Sequence, residues 1–170
     1  MHRGFTLLEL IISLAVFSIV AAVAAPNLHG LLETSKMQRL AKELHGFVLE
    51  AKSEAVLRRE RLWIHIYMVG ASDSSGNWWL ELTDNIDPNL GNKLLTLSGK
   101  PYDGIFITSN YNSSQISFDS IHGRPASGHF RFHPVNNTNK ELKLISFTRS
   151  ARFKMCSNSQ TEQYFGYVGC

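Results

Sequence analysis

Three histidines lie close together in the second half of the chain, where they could form a metal site. They are His122, His129 and His133. Because side chains alternate along a strand, His129 and His133 would share one face. No carboxylate or cysteine stands at ligand spacing beside them, as a zinc site would require. We therefore interpret the three histidines as polar strand and turn residues.

A second group of oxygen-bearing side chains lies in the segment TDNIDPNLGN. Asp84, Asp87 and Asn89 could bind calcium, but they lack the spacing of an EF-hand loop. The same residue types are common in turns, so we interpret the segment as a loop. The sequence contains no phosphate-binding glycine loop and no nucleophile elbow. It thus predicts a protein that is not an enzyme and that holds no metal and no cofactor.

One carboxylate, Glu9, interrupts an apolar segment near the N-terminus. It is the only charged residue among the 21 residues from Phe5 to Ala25. A helix of that length is about 30 Å long, enough to cross a bilayer, and Arg3 before it would stay on the cytoplasmic side. An unpaired carboxylate inside a membrane costs several kcal/mol, so its presence indicates a function.

Three interpretations of this segment are open. A secretory signal peptide is supported by Ala22-Val23-Ala24, but the apolar region exceeds the usual length of about 7–15 residues. A plain membrane anchor gives Glu9 no partner. In the third, cleavage after Gly4 creates a free amine on Phe5. The amine of a neighbouring copy, shifted along the helix axis, would then neutralise Glu9 in an assembly.

The run Gly4-Phe5-Thr6-Leu7-Leu8-Glu9 resembles the motif of type IV pilins and pseudopilins. The resemblance implies cleavage after Gly4 by a prepilin peptidase, N-methylation of Phe5, and docking of the helix into a filament through Glu9. It implies a single pass through the bacterial inner membrane with a periplasmic head, and later a place in the pilus fibre at the cell surface. The implied partners are other major and minor pilins, the peptidase and the inner-membrane assembly platform.

The apolar segment ends at Pro26, where pilins usually have a kink or a locally melted turn, and we expect the same here. An amphipathic pattern then continues to about residue 61, with apolar residues three and four positions apart. It predicts one long helix whose buried stripe packs on a sheet. The stripe comprises Leu40, Leu44, Phe47, Val48, Ala51, Ala55 and Val56.

The rest of the chain has the pattern of short antiparallel strands separated by turn residues. The predicted fold class is α+β, with a long N-terminal helix packed on an antiparallel sheet. We expect a leader (1–4), a transmembrane and assembly helix (5–25), an amphipathic continuation (26–61) and a β-rich head with a C-terminal tail (62–170). Strands are predicted at 62–68, 78–82, 93–97, 105–107, 115–118, 128–132, 142–147 and 152–155.

Two further segments resemble the GspH/FimT group of minor pilins, which includes FimT and FimU. Gly123-Arg124, followed by Gly128-His129-Phe130, looks like the Gly-Arg...Gly-x-Phe signature of that group. The Ser53-Glu54-Ala55 run before the first strand is similar as well. The resemblance implies a turn and the start of a strand, with the Phe130 side chain in the core.

The charged residues are unevenly distributed. Residues 62–119 have two Lys/Arg against six Asp/Glu, a net charge of −4, whereas residues 120–170 have seven against two, a net charge of +5. Such asymmetry is typical of a surface that faces a polyanion, although a solvated face without a partner has the same composition.

The basic segment TRSARFKMC contains the candidate DNA contacts. In FimT-type minor pilins this place often reads Gly-Arg-x-Arg before a cysteine, and in some it contacts DNA during natural transformation. Here Ala151 replaces the glycine, Arg152 matches, and Lys154 replaces the second arginine. Strand alternation places Arg152 and Lys154 on one face, with Arg149 nearby. The alternative is a final strand with a solvated face.

The two cysteines, Cys156 and Cys170, would close a C-terminal loop in an exported protein, or remain separate thiols in a reducing cytosol. Taken together, the resemblance implies a minor pilin of a type IV pilus, incorporated near the tip or in the initiation complex. A minor pseudopilin of a type II secretion system, similar to GspH, remains the alternative. A secreted soluble protein is the third possibility.

Overall fold

The computed structural model describes residues 6–159 and 162–170, apart from the side chains of residues 23–29. The chain divides into two compact units, Met1–Ser35 and Lys36–Cys170. The first unit contains the N-terminal part of helix α1, which extends over Leu7–Arg58. The second contains the remainder of α1 and every strand that the structure describes.

The start of α1 is fixed by a side-chain cap. The backbone N–H of Glu9 donates to Oγ1 of Thr6 at 3.3 Å, which satisfies one of the free donors at a helix N-terminus. Within the described part of the chain, no helix is both long and apolar enough to cross a membrane. The predicted span of residues 5–25 includes Phe5 and the side chains of residues 23–25, which lie outside the described residues, and it remains a prediction.

The expected melted turn at Pro26 is not present. The backbone is helical at every position from Leu7 to Arg58, so the melted-turn alternative is wrong, whereas a kink stays a prediction. A proline removes one helical hydrogen bond, and the bonds of the flanking turns keep the backbone helical.

The amphipathic half of α1 packs its apolar stripe into the core, as predicted. Val56 is the exception, because 38% of its surface is exposed. It lies in the last turn of the helix and borders an open cleft beside Ile121. Besides the predicted residues, Met37 and Ala41 are fully buried. The buried helix residues are Met37, Leu40, Ala41, Leu44, Phe47, Val48, Ala51 and Ala55.

In the part of the chain that the structure describes, nine strands follow the helix and form two antiparallel sheets. The four-stranded sheet has the order β4-β3-β1-β6, and the five-stranded sheet has the order β2-β5-β7-β8-β9. The strands are β1 (Leu62–Tyr67), β2 (Ser72–Asp73), β3 (Trp79–Thr83), β4 (Lys93–Ser98), β5 (Ile105–Ser109), β6 (Gln115–Phe118), β7 (Gly128–Pro134), β8 (Leu142–Phe147) and β9 (Arg152–Ser157). All eight predicted strands are present, and the fold class is α+β as predicted.

The core of the second unit lies between α1 and the inner faces of the two sheets. Alternation along the strands places one set of apolar side chains inward and leaves the other set on the outer faces. Phe130 is fully buried, which confirms its predicted position. The largest fully buried side chains are Trp78, Tyr102, Phe118, Phe130, Phe132, Met37, Leu40 and Leu44.

Candidate functional site

The residues predicted for processing lie at the extreme N-terminus. Gly4 and Phe5 are outside the described residues. Glu9 lies in the first turn of α1, and its side chain is exposed. The pattern Thr6-x-x-Glu9 is that of a capping box, in which a glutamate or glutamine stands at the third helical position. Glu9 is therefore placed to stabilise the start of its own helix, in addition to its predicted pairing with the Phe5 amine of a neighbouring copy.

The predicted DNA contacts lie on the outer face of the five-stranded sheet. Arg152 is exposed, and its guanidinium lies 5.1 Å from the centre of the Phe147 ring, which it faces across the β8–β9 pair. Lys154 is half-buried and donates from Nζ to the carbonyl of Cys170 at 2.9 Å. Arg149 is exposed in the turn between the two strands. The three cations thus lie in one hairpin, and Arg152 and Lys154 share a strand face, as the alternation pattern predicts.

The strand register adds two cations that the sequence reasoning missed. Arg131 on β7 pairs with Lys143 on β8, and Ile145, two residues further along β8, pairs with Lys154 on β9. Directly paired residues share a face, so all of these side chains lie on the outer face of the sheet. We call Arg131, Lys143, Arg149, Arg152 and Lys154 the basic face. The alternation of buried and exposed residues within β7 and within β8 could have indicated that Arg131 and Lys143 point outward. That they lie beside the cations of β9 follows only from the pairing of the three strands.

The charge of the basic face is partly offset. Nζ of Lys143 lies 3.9 Å from a carboxylate oxygen of Glu141, and the ammonium of Lys154 already has a carbonyl partner. Arg152 has no carboxylate partner in the described part of the chain, and its guanidinium is open to solvent above Phe147. Arg131 and Arg149 are likewise exposed, so the three arginines are the cations of the face that are open to an external anion.

Ala151, which stands where the FimT-type pattern has glycine, lies in the turn before β9. Its φ is +50°, in the left-handed region that favours glycine. Its carbonyl accepts a hydrogen bond from Nζ of Lys52 on α1, a contact that holds the strained turn against the helix. The alanine therefore adopts a conformation that glycine favours, and Arg152 follows it at the first position of β9.

The three histidines do not converge on a common site. His133 stacks on Phe106 at 4.9 Å, and its Nδ1 lies 2.9 Å from the carbonyl of Pro134. In a separate turn, Nδ1 of His122 lies 4.0 Å from Oδ1 of Asp119. Burial lowers the pKa of His129, and the nearby charges of Arg131 and Lys143 lower it further. Among the described residues, no cluster of three His, Cys, Asp or Glu side chains could hold a metal ion.

The segment TDNIDPNLGN is a loop held together by its own side chains. The carboxylate of Asp84 accepts from the backbone and side-chain N–H groups of Asn92 at 2.7 and 2.8 Å, and these bonds lower its pKa. Asn89 adopts a φ of +67°, and its side chain accepts from the hydroxyl of Tyr67. The carboxylate of Asp84 is therefore used in shaping the turn.

The Gly-Arg...Gly-x-Phe segment serves as a structural connection between β6 and β7. At Gly123, with φ of +61°, a Cβ atom would lie 2.6 Å from the Lys52 side chain on α1. At Gly128, a Cβ atom would lie 2.3 Å from the ring of Tyr111. The Tyr111 hydroxyl donates to Ser146 at 3.1 Å. Both glycines are needed because helix or core atoms occupy the space of a side chain.

The turn before Gly123 is closed by the carboxylate of Asp119. It accepts from the backbone N–H groups of Ile121, His122 and Arg124 at 2.9, 2.7 and 2.9 Å. Partial burial alone would raise the pKa of Asp119, but these bonds together lower it to about 2.

Replacement of Asp119 by alanine is expected to destabilise the head by about 1–2 kcal/mol at pH 7, because three backbone donors lose a charged acceptor. Since the pKa of Asp119 is depressed on folding, its contribution is full above the unfolded value of 3.8 and is lost as the pH falls through about 2. Urea unfolding of residues 36–170 should therefore give a difference between wild type and variant that shrinks below pH 4. A difference that is the same at pH 7 and pH 2 would contradict this account.

Cys156 and Cys170 are joined in a disulfide, with Cα atoms 5.0 Å apart. The C-terminal tail lies beside the end of β9. There the N–H of Ser157 donates to the carbonyl of Val168 at 2.8 Å, and the N–H of Cys170 donates to the carbonyl of Ser157 at 3.0 Å. The bond is consistent with the oxidising compartment expected for an exported head.

Two family models match this chain. The prokaryotic N-terminal methylation motif matches residues 1–25, and the model of type II transport protein GspH matches residues 40–161. No curated protein matches the chain.

Similar folds occur in two solved proteins. The type IV minor pilin FimU of Pseudomonas aeruginosa has a TM-score of 0.60 and 16% identity, covering 74% of this chain and 91% of its own. The minor pseudopilin EpsH of the Vibrio cholerae type 2 secretion system has a TM-score of 0.52 and 12% identity, covering 70% and 94%. Because the sequence identities are this low, the two comparisons show a shared fold alone. Because the GspH model spans more than half of the sequence, this chain belongs to the type II transport protein GspH family and combines its head with the methylation motif of pilins and pseudopilins.

Proposed function

We propose that this protein is a minor pilin of a type IV pilus. Prepilin peptidase cleaves it after Gly4, the new N-terminal Phe5 is methylated, and the mature subunit joins other pilins near the pilus tip through the inner-membrane assembly platform. The observation that carries the proposal is the combination of a methylation motif at residues 1–25 with a GspH-family head at residues 40–161.

The exposed apolar side chains at the start of α1 support an assembled state. Leu7, Leu8, Phe17 and Ile19 are each at least 66% exposed in the isolated chain. A contiguous apolar surface of this kind needs lipid or another protein to cover it. In the proposed life cycle the bilayer covers this surface first and the helices of neighbouring pilins cover it later.

A minor pseudopilin of a type II secretion system is the second candidate. It is favoured by the GspH family description and by the fold similarity to EpsH. Deletion of the gene separates the two machines. A pilus subunit is expected to be needed for twitching and DNA uptake while secretion continues, and a secretion subunit gives the opposite result.

We further propose that the basic face contacts DNA phosphates. Its cations extend over three neighbouring strands, and Arg152 is exposed without a carboxylate partner in the described residues. Contact with phosphates needs clustered positive charge and no reading of bases, so binding would be independent of sequence and sensitive to salt.

The DNA proposal predicts that duplex binding weakens steeply with salt and depends on β9. Binding should be measured with the full chain in a zwitterionic detergent, from 25 to 300 mM NaCl. Loss of both charges in Arg152→Ala/Lys154→Ala is expected to reduce the affinity at least tenfold and to flatten the slope of log K against log [salt] by about two.

The control for this experiment is the double variant Arg39→Ala/Lys42→Ala, which removes the same charge from helix α1. Arg39 pairs with Glu43 on that helix, far along the sequence from the basic face. We expect this variant to retain most of the wild-type affinity. Equal losses in the two double variants would mean that net charge alone attracts DNA. Absence of binding at 25 mM NaCl would leave the basic face as a solvated surface.

A further inference from the structure

An aromatic row crosses the outer face of the four-stranded sheet. Tyr67 on β1, Trp79 on β3 and Ser98 on β4 are paired in register. The rings of Tyr67 and Trp79 stack with their centroids 4.8 Å apart and their planes within 9°. The Tyr67 hydroxyl is held by Asn89, whose N–H donates to it at 3.1 Å. The indole of Trp79 is therefore fixed from one side, and it is still 41% exposed.

The next row of the same face is covered, which makes the exposure of Trp79 distinctive. His65 and Glu81 are 3% and 6% exposed. Nε2 of His65 lies 3.0 Å from the carbonyl of Asn85, which belongs to the loop after β3, and Lys93 pairs with Glu81 at 2.8 Å. The structure thus covers the polar row and leaves the large aromatic side chain open.

On the side away from Tyr67, a cleft of about 410 Å³ adjoins Trp79. Ser98 is too small to cover the indole, so the cleft meets the ring directly. Its rim has side chains that donate and accept hydrogen bonds: Asn77, Thr96, Ser98 and Lys100. The volume lies within the range of about 300–1,000 Å³ that is usual for small-molecule sites.

The polar groups of this cleft are mostly available. Asn77 uses its amide nitrogen to donate to Ser75 at 3.0 Å, which leaves the amide oxygen to accept from a ligand. Ser98 accepts from the N–H of Lys100 at 3.3 Å, which leaves its own hydroxyl hydrogen to donate. No carboxylate lines the cleft. A ligand with several hydroxyl groups would match these groups.

We propose that this cleft binds the ring of a neutral sugar, as part of a glycan at a surface that the pilus meets. One face of a pyranose ring presents C–H groups, which stack on the electron-rich face of an indole, while its hydroxyls reach the polar rim. A second cleft of about 250 Å³, which shares Asn77 and Trp79 with the first, gives room for a neighbouring sugar unit.

Charge distinguishes a sugar from the other ligands that stack on tryptophan. Single-stranded nucleic acid also stacks on aromatic rings, but its binding sites lie in positively charged grooves. Residues 62–119, which contain the four-stranded sheet, have two Lys/Arg against six Asp/Glu and a net charge of −4. The cleft itself has one cation, Lys100, and no carboxylate. It therefore lacks the positively charged groove that a polyanion requires, whereas a neutral ligand requires none.

The test is saturation-transfer NMR with three neutral trisaccharides: N,N′,N″-triacetylchitotriose, maltotriose and globotriose. The full chain is used in lauryldimethylamine oxide, a detergent without a sugar headgroup. We expect at least one trisaccharide to receive saturation from the protein, with a dissociation constant in the millimolar range or tighter. Trp79→Ala should weaken that binding at least tenfold, and Trp79→Tyr, which keeps a ring, should retain part of it.

The matched control is Ile121→Ala, which shortens an exposed apolar side chain outside the cleft. It should bind like wild type, and circular dichroism should show that all variants are folded. The proposal is overturned if none of the three sugars binds to wild type at 10 mM, or if Trp79→Ala binds as well as wild type. Displacement of the sugar by a ten-residue oligothymidylate at 150 mM NaCl would also overturn it, because the site would then take nucleic acid.

Discussion

Glu9→Gln is expected to leave the protein inserted and cleaved but absent from the pilus. In the proposed assembly the Glu9 carboxylate is neutralised by the Phe5 amine of a neighbouring subunit, and glutamine cannot form that ion pair. We expect the amount of this protein in sheared pili to fall at least tenfold, while the amount in the inner membrane is unchanged. Immunoblots of both fractions, with mass spectrometry of the mature N-terminus, measure the outcome.

The choice of glutamine separates two roles of Glu9. The capping box accepts glutamate or glutamine at the third helical position, so Glu9→Gln keeps that local role and removes only the charge. The control is Thr6→Ala, which removes the hydroxyl that caps the N–H of Glu9 but keeps the carboxylate. It should still be incorporated. Normal incorporation of Glu9→Gln would identify Glu9 as a residue that only starts the helix.

The same substitution, glycine to alanine, is expected to have opposite effects at two positions of the head. Gly128→Ala should destabilise it by about 2–3 kcal/mol, because the new Cβ would meet the buried ring of Tyr111 at 2.3 Å. Gly46→Ala should stabilise it by about 0.5–1 kcal/mol, because Gly46 lies inside α1 with no atom near the Cβ position. Urea unfolding of residues 36–170 measures both values.

The ring of Tyr111 cannot move aside easily. It packs against Phe130 with centroids 5.2 Å apart, and its hydroxyl is bonded to Ser146, which in turn donates to the carbonyl of Ala126 at 2.6 Å. A Gly128→Ala variant as stable as wild type would show that this cluster shifts at little cost. It would remove our structural reason for glycine at this position of the family signature.

Much of the fold could be predicted because its signals are local. The eight longer strands are marked by apolar and β-branched residues, and the helix by its three-and-four spacing. Strand β2, Ser72–Asp73, has only two polar residues and is formed by pairing with β5, so its own sequence contains no strand pattern. Val56 fits the helical period, so the sequence predicted that it would be buried, but it is exposed. The period alone cannot show where the sheet stops covering the helix.

The site was predictable to a smaller extent. Alternation placed Arg152 and Lys154 on one face, whereas their neighbours Arg131 and Lys143 depend on pairings between strands that the sequence does not specify. The turn at Ala151 also needed the structure, because alanine rarely adopts a positive φ and here a lysine on the helix holds its carbonyl. The aromatic row at Trp79 was also missed, because the stacking of Tyr67 on Trp79 depends on the pairing of β1 with β3.

The disulfide at the end of β9 has a consequence for the behaviour of heads packed side by side. β9 is the last strand of its sheet, so its outer backbone groups could pair with a strand from another molecule. The tail attached through Cys170 occupies the Ser157 end of that edge, and the charges of Arg152 and Lys154 lie along the remainder. In the proposed life cycle, formation of the disulfide would therefore keep this edge from pairing with the sheets of other subunits before they enter a fibre.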